Sequence, residues 1–305
     1  MDRKAQFLGR VRKASMKTVR VLLKAAGLLV GATFLQALWP ESAFAWGPAV
    51  HTVVALSVLD GVSEMLPQVG TIISARPIEY IYGSLAADFF IGKTRRWATR
   101  HIHNWKGGLR LLREAKGRRE QAYAYGFLSH LAADVVAHNL FVPNMMSLFP
   151  RPKRAGHLYW EAKADYLMGP AYMKVAKGVL FMDHEVCDEL LKNVTGKRNG
   201  LKAKKRIFTQ TVKFSDYLYG AYPELFSTRP WLASGFANQA FSMVSLSAKL
   251  VLDFLKDPAS CPCLASDPLG KRAMEAVSRK GLFFGFLRPR PAAPSIRPQK
   301  PLLGP

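Results

Sequence analysis

The sequence predicts an all-α protein with a single large domain, and three observations support this prediction. Apolar residues recur three and four positions apart in one segment after another, which is the spacing of a buried helix face. Alternating apolar and polar runs, the pattern typical of half-buried strands, are scarce. The chain beyond residue 45 is long enough for one domain with a large core. We therefore expect a single multi-helix domain over residues 46–260.

Residues 1–45 have the pattern of a secretory signal peptide. A long basic region precedes an apolar run at residues 25–38, which is short for a membrane span. Ala43 and Ala45 then form a small-x-small cleavage site. Such a signal would direct export to the periplasm or the medium. Cleavage after Ala45 would then leave Trp46 as the first residue. The alternative is an uncleaved segment that anchors the chain in the membrane.

The later elements follow from periodicity. Pro48 suits the first turn of a helix that continues through the apolar positions after His51. Further helices are predicted near residues 105–115, 123–140, 157–165, 207–219 and 236–255. Residues 192–206 are rich in Lys, Arg and Gly and are expected to form a loop. Residues 261–305, with many Pro and basic residues towards the end, are expected to be a disordered tail.

The central motif is His130, Asp134 and His138, within the helix predicted at residues 123–140. At 100° per residue, positions four and eight apart share one face. The surrounding residues are apolar, so this face is expected to be buried. Burying three such groups without partners costs several kcal/mol, and a divalent metal would supply the partner. The simpler alternative for either histidine taken alone is a core histidine with an ordinary hydrogen bond.

Other metal-type ligands flank this motif. Asp88 lies among Ala and Phe residues, where it could also cap a helix or pair with a buried Arg. His101 and His103 are two apart, so both would lie on one side of an extended segment, and the sequence does not choose between them.

Two further stretches carry histidines. His157 and Glu161 are neighbours on one helix face, as metal ligands or as a salt-linked surface pair. His184 has acidic neighbours and is expected on an exposed helix face, outside any site.

The net charge of +23 favours anionic partners such as phospholipid surfaces, nucleic acid or cell-wall polymers, without choosing among them. No protein partner is inferred. The three cysteines have none of the spacings typical of zinc sites, and their pairing stays open. A metal site would therefore rest on His and carboxylate ligands.

Together, a Trp after a cleavage site, a His-x3-Asp motif and a later His-x3-Glu motif resemble the zinc-dependent phospholipase C family. That family is related in fold to the fungal single-strand nucleases. The resemblance implies an all-α domain of this type with three Zn²⁺ ions. Carried over, Trp46, through its α-amino group and carbonyl oxygen, holds one ion with His51 and Asp134. The second ion takes Asp88, His101 or His103, His130 and the bridging Asp134, and the third takes His138, His157 and Glu161.

The resemblance also implies the reaction. A phospholipase C cleaves phospholipid to diacylglycerol and a phosphorylated headgroup by attack of zinc-bound hydroxide, and Asp88 would orient or deprotonate the water. The alternatives are a single-strand nuclease or other phosphodiesterase with the same zinc chemistry, and a non-catalytic metal-binding envelope protein. The short gap from Trp46 to His51 is more like the nucleases, whereas Glu161 is more like the phospholipases.

Overall fold

The computed structural model describes residues 46–90, 102–149, 153–196, 200–226 and 230–283. These ranges belong to one compact unit. The predicted signal peptide at residues 1–45 and the candidate ligand His101 lie outside them. Within the described ranges there is no β-strand, so the all-α prediction is confirmed.

Several of the α-helices begin with Pro at the first helical position. In chain order they are α1 (Pro48–Asp60), α2 (Pro67–Ala75), α3 (Pro77–Ala86), α4 (Trp105–Glu114), α5 (Arg118–Val136), α6 (Val142–Leu148), α7 (Lys153–Met168), α8 (Pro170–Phe181), α9 (Glu185–Thr195), α10 (Leu201–Ala221), α11 (Pro223–Phe226), α12 (Pro230–Lys256) and α13 (Lys271–Phe283). Short 3₁₀ turns cover Val62–Glu64, Ala87–Phe90 and Pro262–Ala265.

Helix α5 is the centre of the core. It packs against α3, α4 and α12, and its residues from Phe127 to Val136 are buried on every side. The approach to α3 is close because both helices present a glycine at the crossing. A Cβ on Gly83 would collide with the carbonyl oxygen of Tyr123, and one on Gly126 with that of Tyr80. This contact brings the end of α3 alongside the ligand-bearing part of α5.

Helix α1 lies against α3, α7, α8 and α12, and it begins next to the buried Trp46. The indole Nε1 of Trp46 donates to Ser247 Oγ at 3.1 Å, and its ring packs on Phe141 with centroids 4.6 Å apart. The N-cap residue Gly47 has no side chain to accept from the first turn. Instead, the backbone N–H groups of Ala49 and Val50 donate to Asp165 Oδ1 of α7, at 2.7 and 3.0 Å.

Two predictions about the later chain are corrected. Residues 192–206 are not one loop, because α9 continues to Thr195 and α10 begins at Leu201. Residues 261–283 are not disordered: Cys261 and Cys263 are buried, and α13 packs on α6 and on the turn after α5. The buried face of α13, which includes Met274, supplies the apolar contact that composition did not reveal. Residues 284–305 lie outside the described ranges.

None of the described helices combines the length and the apolar character that a membrane span requires.

Candidate metal centre

The predicted ligands of the described ranges converge from several elements. Helix α1 carries His51, the turn after α3 carries Asp88, and the residues before α4 carry His103. Helix α5 carries His130 and Asp134, and α7 carries His157 and Glu161. These side chains and that of His138 are all buried. They fall into three groups with the composition and spacing of metal ligands: His51, Asp88 and His130; His103, His130 and Asp134; and His138, His157 and Glu161.

The tightest arrangement surrounds His130. Its Nε2 lies 2.9 Å from Nε2 of His103, 3.1 Å from Oδ2 of Asp134 and 3.4 Å from Oδ1 of Asp88. His103 Nε2 is also 3.3 Å from Asp134 Oδ2 and 3.9 Å from Asp88 Oδ1. Ligands about 2.0–2.1 Å from a tetrahedral zinc lie about 3.3 Å from one another. These separations are therefore close to the ligand-to-ligand distance of a tetrahedral zinc site. Of the two histidines predicted for this position, His103 is the one within the described ranges.

Asp134 faces two ways. Its Oδ2 approaches His103 and His130, whereas its Oδ1 lies 3.4 Å from Nε2 of His51. The His51 ring stacks on the His130 ring with centroids 3.9 Å apart. Because each carboxylate oxygen points at a different set of imidazoles, Asp134 has the geometry of a bridging ligand between two ions.

His138 belongs to a separate group. The α-helical pattern ends at Val136, and residues Ala137–Phe141 form a π-turn in which the Val142 N–H donates to the Ala137 carbonyl. Within that turn His138 meets α7: its ring centroid is 5.2 Å from that of His157, and His157 Nε2 is 2.8 Å from Glu161 Oε1.

Backbone carbonyls fix two of the imidazoles. His130 Nδ1 lies 2.7 Å from the Ser84 oxygen, and His138 Nδ1 lies 2.6 Å from the Pro268 oxygen. A carbonyl oxygen only accepts, so each Nδ1 carries a proton, and in the neutral imidazole the lone pair is then on Nε2. This is the tautomer that a metal-binding histidine needs.

The pKa values of the cluster are set by its burial and by the charged groups that face one another. Burial raises the pKa of Asp88 to about 7 and raises that of Glu161 well above its usual range. Burial would also raise the pKa of Asp134, but the surrounding imidazoles, His130 first among them, hold it well below its usual range. Burial lowers the pKa of His138 to about 4, which favours its neutral, ligating form.

The fit of a metal can be tested on the buried polar atoms of the described ranges. Both carboxylate oxygens of Asp88, Asp134 and Glu161, and His138 Nε2, make no hydrogen bond of regular geometry within the described ranges, although oxygens of Asp134 and Glu161 lie 2.8–3.4 Å from imidazole nitrogens. Native proteins rarely leave such groups unsatisfied, because each costs of the order of 1–3 kcal/mol or more. Nitrogen and carboxylate oxygen in this geometry suit zinc. The residues present therefore fit divalent metal.

Two further positions singled out in the sequence, Trp46 and His184, are both buried. Trp46 is buried beside the start of α1, one helical turn before His51, whose N–H donates to the Gly47 carbonyl at 3.0 Å. His184 was predicted to be exposed, and this is wrong: its ring stacks on Tyr82 with centroids 3.6 Å apart, and its Nε2 bonds the Val179 carbonyl at 2.7 Å. It lies outside the three ligand groups.

Sequence reasoning missed the groups that support the ligands. Asp165 lies four residues after Glu161 and eight after His157, so helical spacing could have placed it on the ligand face of α7. The carbonyl oxygens of Ser84 and Pro268 had no side-chain signal that could reveal them.

The protein has a helical fold with buried His, Asp and Glu groups that could hold metal ions. The family model described as zinc dependent phospholipase C matches residues 50–212, which is more than half of the chain. The chain belongs to the zinc-dependent phospholipase C family. No curated protein and no solved structure matches it significantly.

Proposed function

We propose that the protein is an exported phospholipase C, which hydrolyses phospholipid to diacylglycerol and a phosphorylated headgroup with three zinc ions per chain. The observation that carries this proposal is the convergence of three buried ligand groups, two of which meet at His130 and at the two-sided carboxylate of Asp134. A single structural ion would need only one such group. Membership of the family supports the reaction class.

The ligand sets are those that the family resemblance implies, and the distances between the side chains support them. His51 and Asp134, with the α-amino group and carbonyl of Trp46, would hold one ion. Asp88, His103, His130 and Asp134 would hold the second, and His138, His157 and Glu161 the third. When bound, zinc supplies a Lewis acid for the phosphodiester oxygens and lowers the pKa of water towards about 7.

The chain's own residues have three tasks. The carboxylates of Asp88, Asp134 and Glu161 leave the cluster with net positive charge when three divalent ions are present, which favours an anionic phosphodiester. Ser84 and Pro268 hold His130 and His138 in the ligating tautomer. Asp88 is buried and its Oδ1 lies 3.4 Å from His130 Nε2, which supports a role in orienting or deprotonating the attacking water as the catalytic base.

Export and membrane contact belong to the same proposal. The pattern of residues 1–45 supports cleavage after Ala45, which would free the amine of Trp46. The basic composition supports contact with anionic phospholipid surfaces. If the amine binds metal, a chain that begins with an additional Met retained before Trp46 should lose or weaken one zinc ion and most of its activity.

The function is tested with the purified chain that begins at Trp46, assayed on short-chain phosphatidylcholine and on single-stranded DNA, each with and without chelator. We expect release of phosphocholine that chelator abolishes and zinc restores. Cleavage of DNA instead would assign the protein to nucleic-acid hydrolysis, and activity on neither substrate would contradict the proposed reaction.

Two buried histidines provide a matched pair of variants. His138→Ala removes a predicted ligand, whereas His184→Ala removes a buried histidine outside the ligand groups. We expect the first to abolish hydrolysis and the second to retain it. Equal loss in both variants would show that the assay reports general damage to the fold.

A further inference from the structure

We propose that residues 266–270, which we name the C-terminal strap, position His138 for metal binding and thereby set the zinc affinity of the group formed by His138, His157 and Glu161. The inference rests on the proposed function, because it requires that this group binds zinc. The strap connects the 3₁₀ turn Pro262–Ala265 to α13. It lies beyond residues 50–212, the part of the chain that matches the family.

Three consecutive carbonyls of the strap accept hydrogen bonds from three side chains. The Ser266 oxygen accepts from Trp105 Nε1 at 2.8 Å, and the Asp267 oxygen accepts from Asn139 Nδ2 at 2.9 Å. The Pro268 oxygen accepts from His138 Nδ1 at 2.6 Å.

Two of the donors are neighbours of metal ligands along the chain. Trp105 follows His103 by two residues, and Asn139 is the residue after His138. The third donor, His138, is itself a predicted ligand. The strap therefore connects the segment before α4 with the π-turn after α5, two segments that bring ligands to different groups of the centre.

The bond to Pro268 determines what His138 can offer a metal. Its Nδ1 must keep the proton, so the lone pair is on Nε2, which is buried and makes no hydrogen bond within the described ranges. A ligand atom of His138 lies within 4.8 Å of ligand atoms of both His157 and Glu161. Rotation of the ring or a change of tautomer would break the bond to Pro268.

The strap also contacts the backbone of His138 directly. Gly270 has φ = +55°, and a Cβ at this position would collide with the carbonyl group of His138. Helix α13 follows at once and packs on the π-turn and on α6, which holds the strap in place. Because partners of metal-binding histidines typically contribute a factor of 10–100 in metal affinity, loosening the strap should weaken zinc binding without removing a ligand.

Two glycines allow a matched test in the chain that begins at Trp46. Gly270→Ala introduces a Cβ against His138, at positive φ. Gly196→Ala introduces one at a similar φ of +64°, where no heavy atom lies within 4 Å. The measurement is zinc affinity by competition with a chromophoric chelator, together with zinc per chain. We expect Gly270→Ala to bind one ion about 10- to 100-fold more weakly while the others are retained, and Gly196→Ala to bind zinc as the unmodified protein does.

A second variant approaches the strap without adding atoms to it. Trp105→Phe combined with Asn139→Ala removes two of the three bonds and leaves every predicted ligand intact. It should weaken the same ion, and it decides the question if Gly270→Ala does not fold. The melting temperature of the metal-free protein is measured for each variant, so that a general loss of stability is detected separately.

The outcomes are distinct. Unchanged zinc affinity in the folded strap variants would overturn the inference, and so would an equal loss in Gly196→Ala, since backbone strain alone would then account for the effect. If the unmodified protein bound no zinc at all, the proposed function itself would be refuted, and the inference with it.

Discussion

At the scale of single residues, Asp134 is the group on which most of the centre depends. Its two oxygens lie 3.1–3.4 Å from the Nε2 atoms of His51, His103 and His130, on two sides of one carboxylate. No other predicted carboxylate ligand in the described ranges approaches three imidazoles this closely. The loss of this side chain should therefore affect more than one ion.

Asp134→Ala should lower zinc content by more than one ion per chain, whereas Glu161→Ala should lower it by about one. The measurement is elemental analysis of the purified variants. Asp216→Ala is a suitable control, because Asp216 pairs with Lys177 and belongs to none of the three ligand groups. Full zinc content in Asp134→Ala would contradict a bridging role.

Asp165 acts on the helix that carries His51 rather than on a ligand. It takes the role of an N-cap side chain for α1, because its Oδ1 accepts hydrogen bonds from the backbone N–H groups of Ala49 and Val50. Asp165→Ala should lower the free energy of unfolding by about 1–3 kcal/mol, since two buried N–H groups lose their acceptor.

Asp165→Asn keeps one acceptor oxygen and should be less destabilised than the Ala variant. Chemical denaturation of the metal-free protein measures both. If the two variants were equally stable, the hydrogen bonds would not be the source of the effect.

At the scale of elements, the sequence predicted the α5 motif because three metal-type ligands at helical spacing on an apolar segment favour metal binding over ordinary core packing. It could not predict the π-turn, which has no local signature in the residues around His138. Sequence did not choose between His101 and His103, since an extended segment places both on the same side; His103 lies 2.9 Å from His130, and His101 lies outside the described residues.

Two wrong predictions have a common physical cause. The acidic neighbours of His184 suggested exposure, but a contact with Tyr82 from a distant helix buries the ring. The composition of residues 261–305 suggested disorder, but in the described part, residues 261–283, α13 packs on α6 and the π-turn. In both cases long-range packing, which a single sequence does not display, outweighed local composition.

The crossing of α3 and α5 is a packing contact that is highly sensitive to side-chain size. Gly83→Ala or Gly126→Ala would place a methyl group against a backbone carbonyl of the opposite helix, which cannot move as a side chain would. We expect destabilisation of about 1–3 kcal/mol or more.

Gly178→Ala is the control for this crossing, because Gly178 is a helical glycine with no heavy atom within 4 Å of the added Cβ. It should be stabilised by about 0.5–1 kcal/mol. Thermal unfolding of the three variants gives the comparison. A stable Gly83→Ala protein would show that the helices are not held at this distance.

At the scale of the whole molecule, the candidate metal centre brings together elements that are far apart in sequence. Its ligands come from α1, the turn after α3, the segment before α4, α5, the π-turn and α7. A metal bound only by the folded state stabilises that state by mass action, by about 4 kcal/mol at a free concentration 1,000 times Kd.

Removal of the metal should therefore lower the melting temperature. At about 2–4 °C per kcal/mol, the loss of one such ion corresponds to about 8–16 °C. Calorimetry before and after chelation, followed by re-addition of zinc, measures the shift and its reversal. An unchanged melting curve after complete zinc removal would mean that the ligand groups do not bind metal in the folded state.

The most direct measurement is the zinc content of the chain that begins at Trp46, purified gently and without chelator, by elemental analysis. The separations of the ligand atoms and their unsatisfied buried oxygens predict about two to three zinc ions per chain. A content near zero, in protein that is folded and has been offered zinc, would contradict the metal centre.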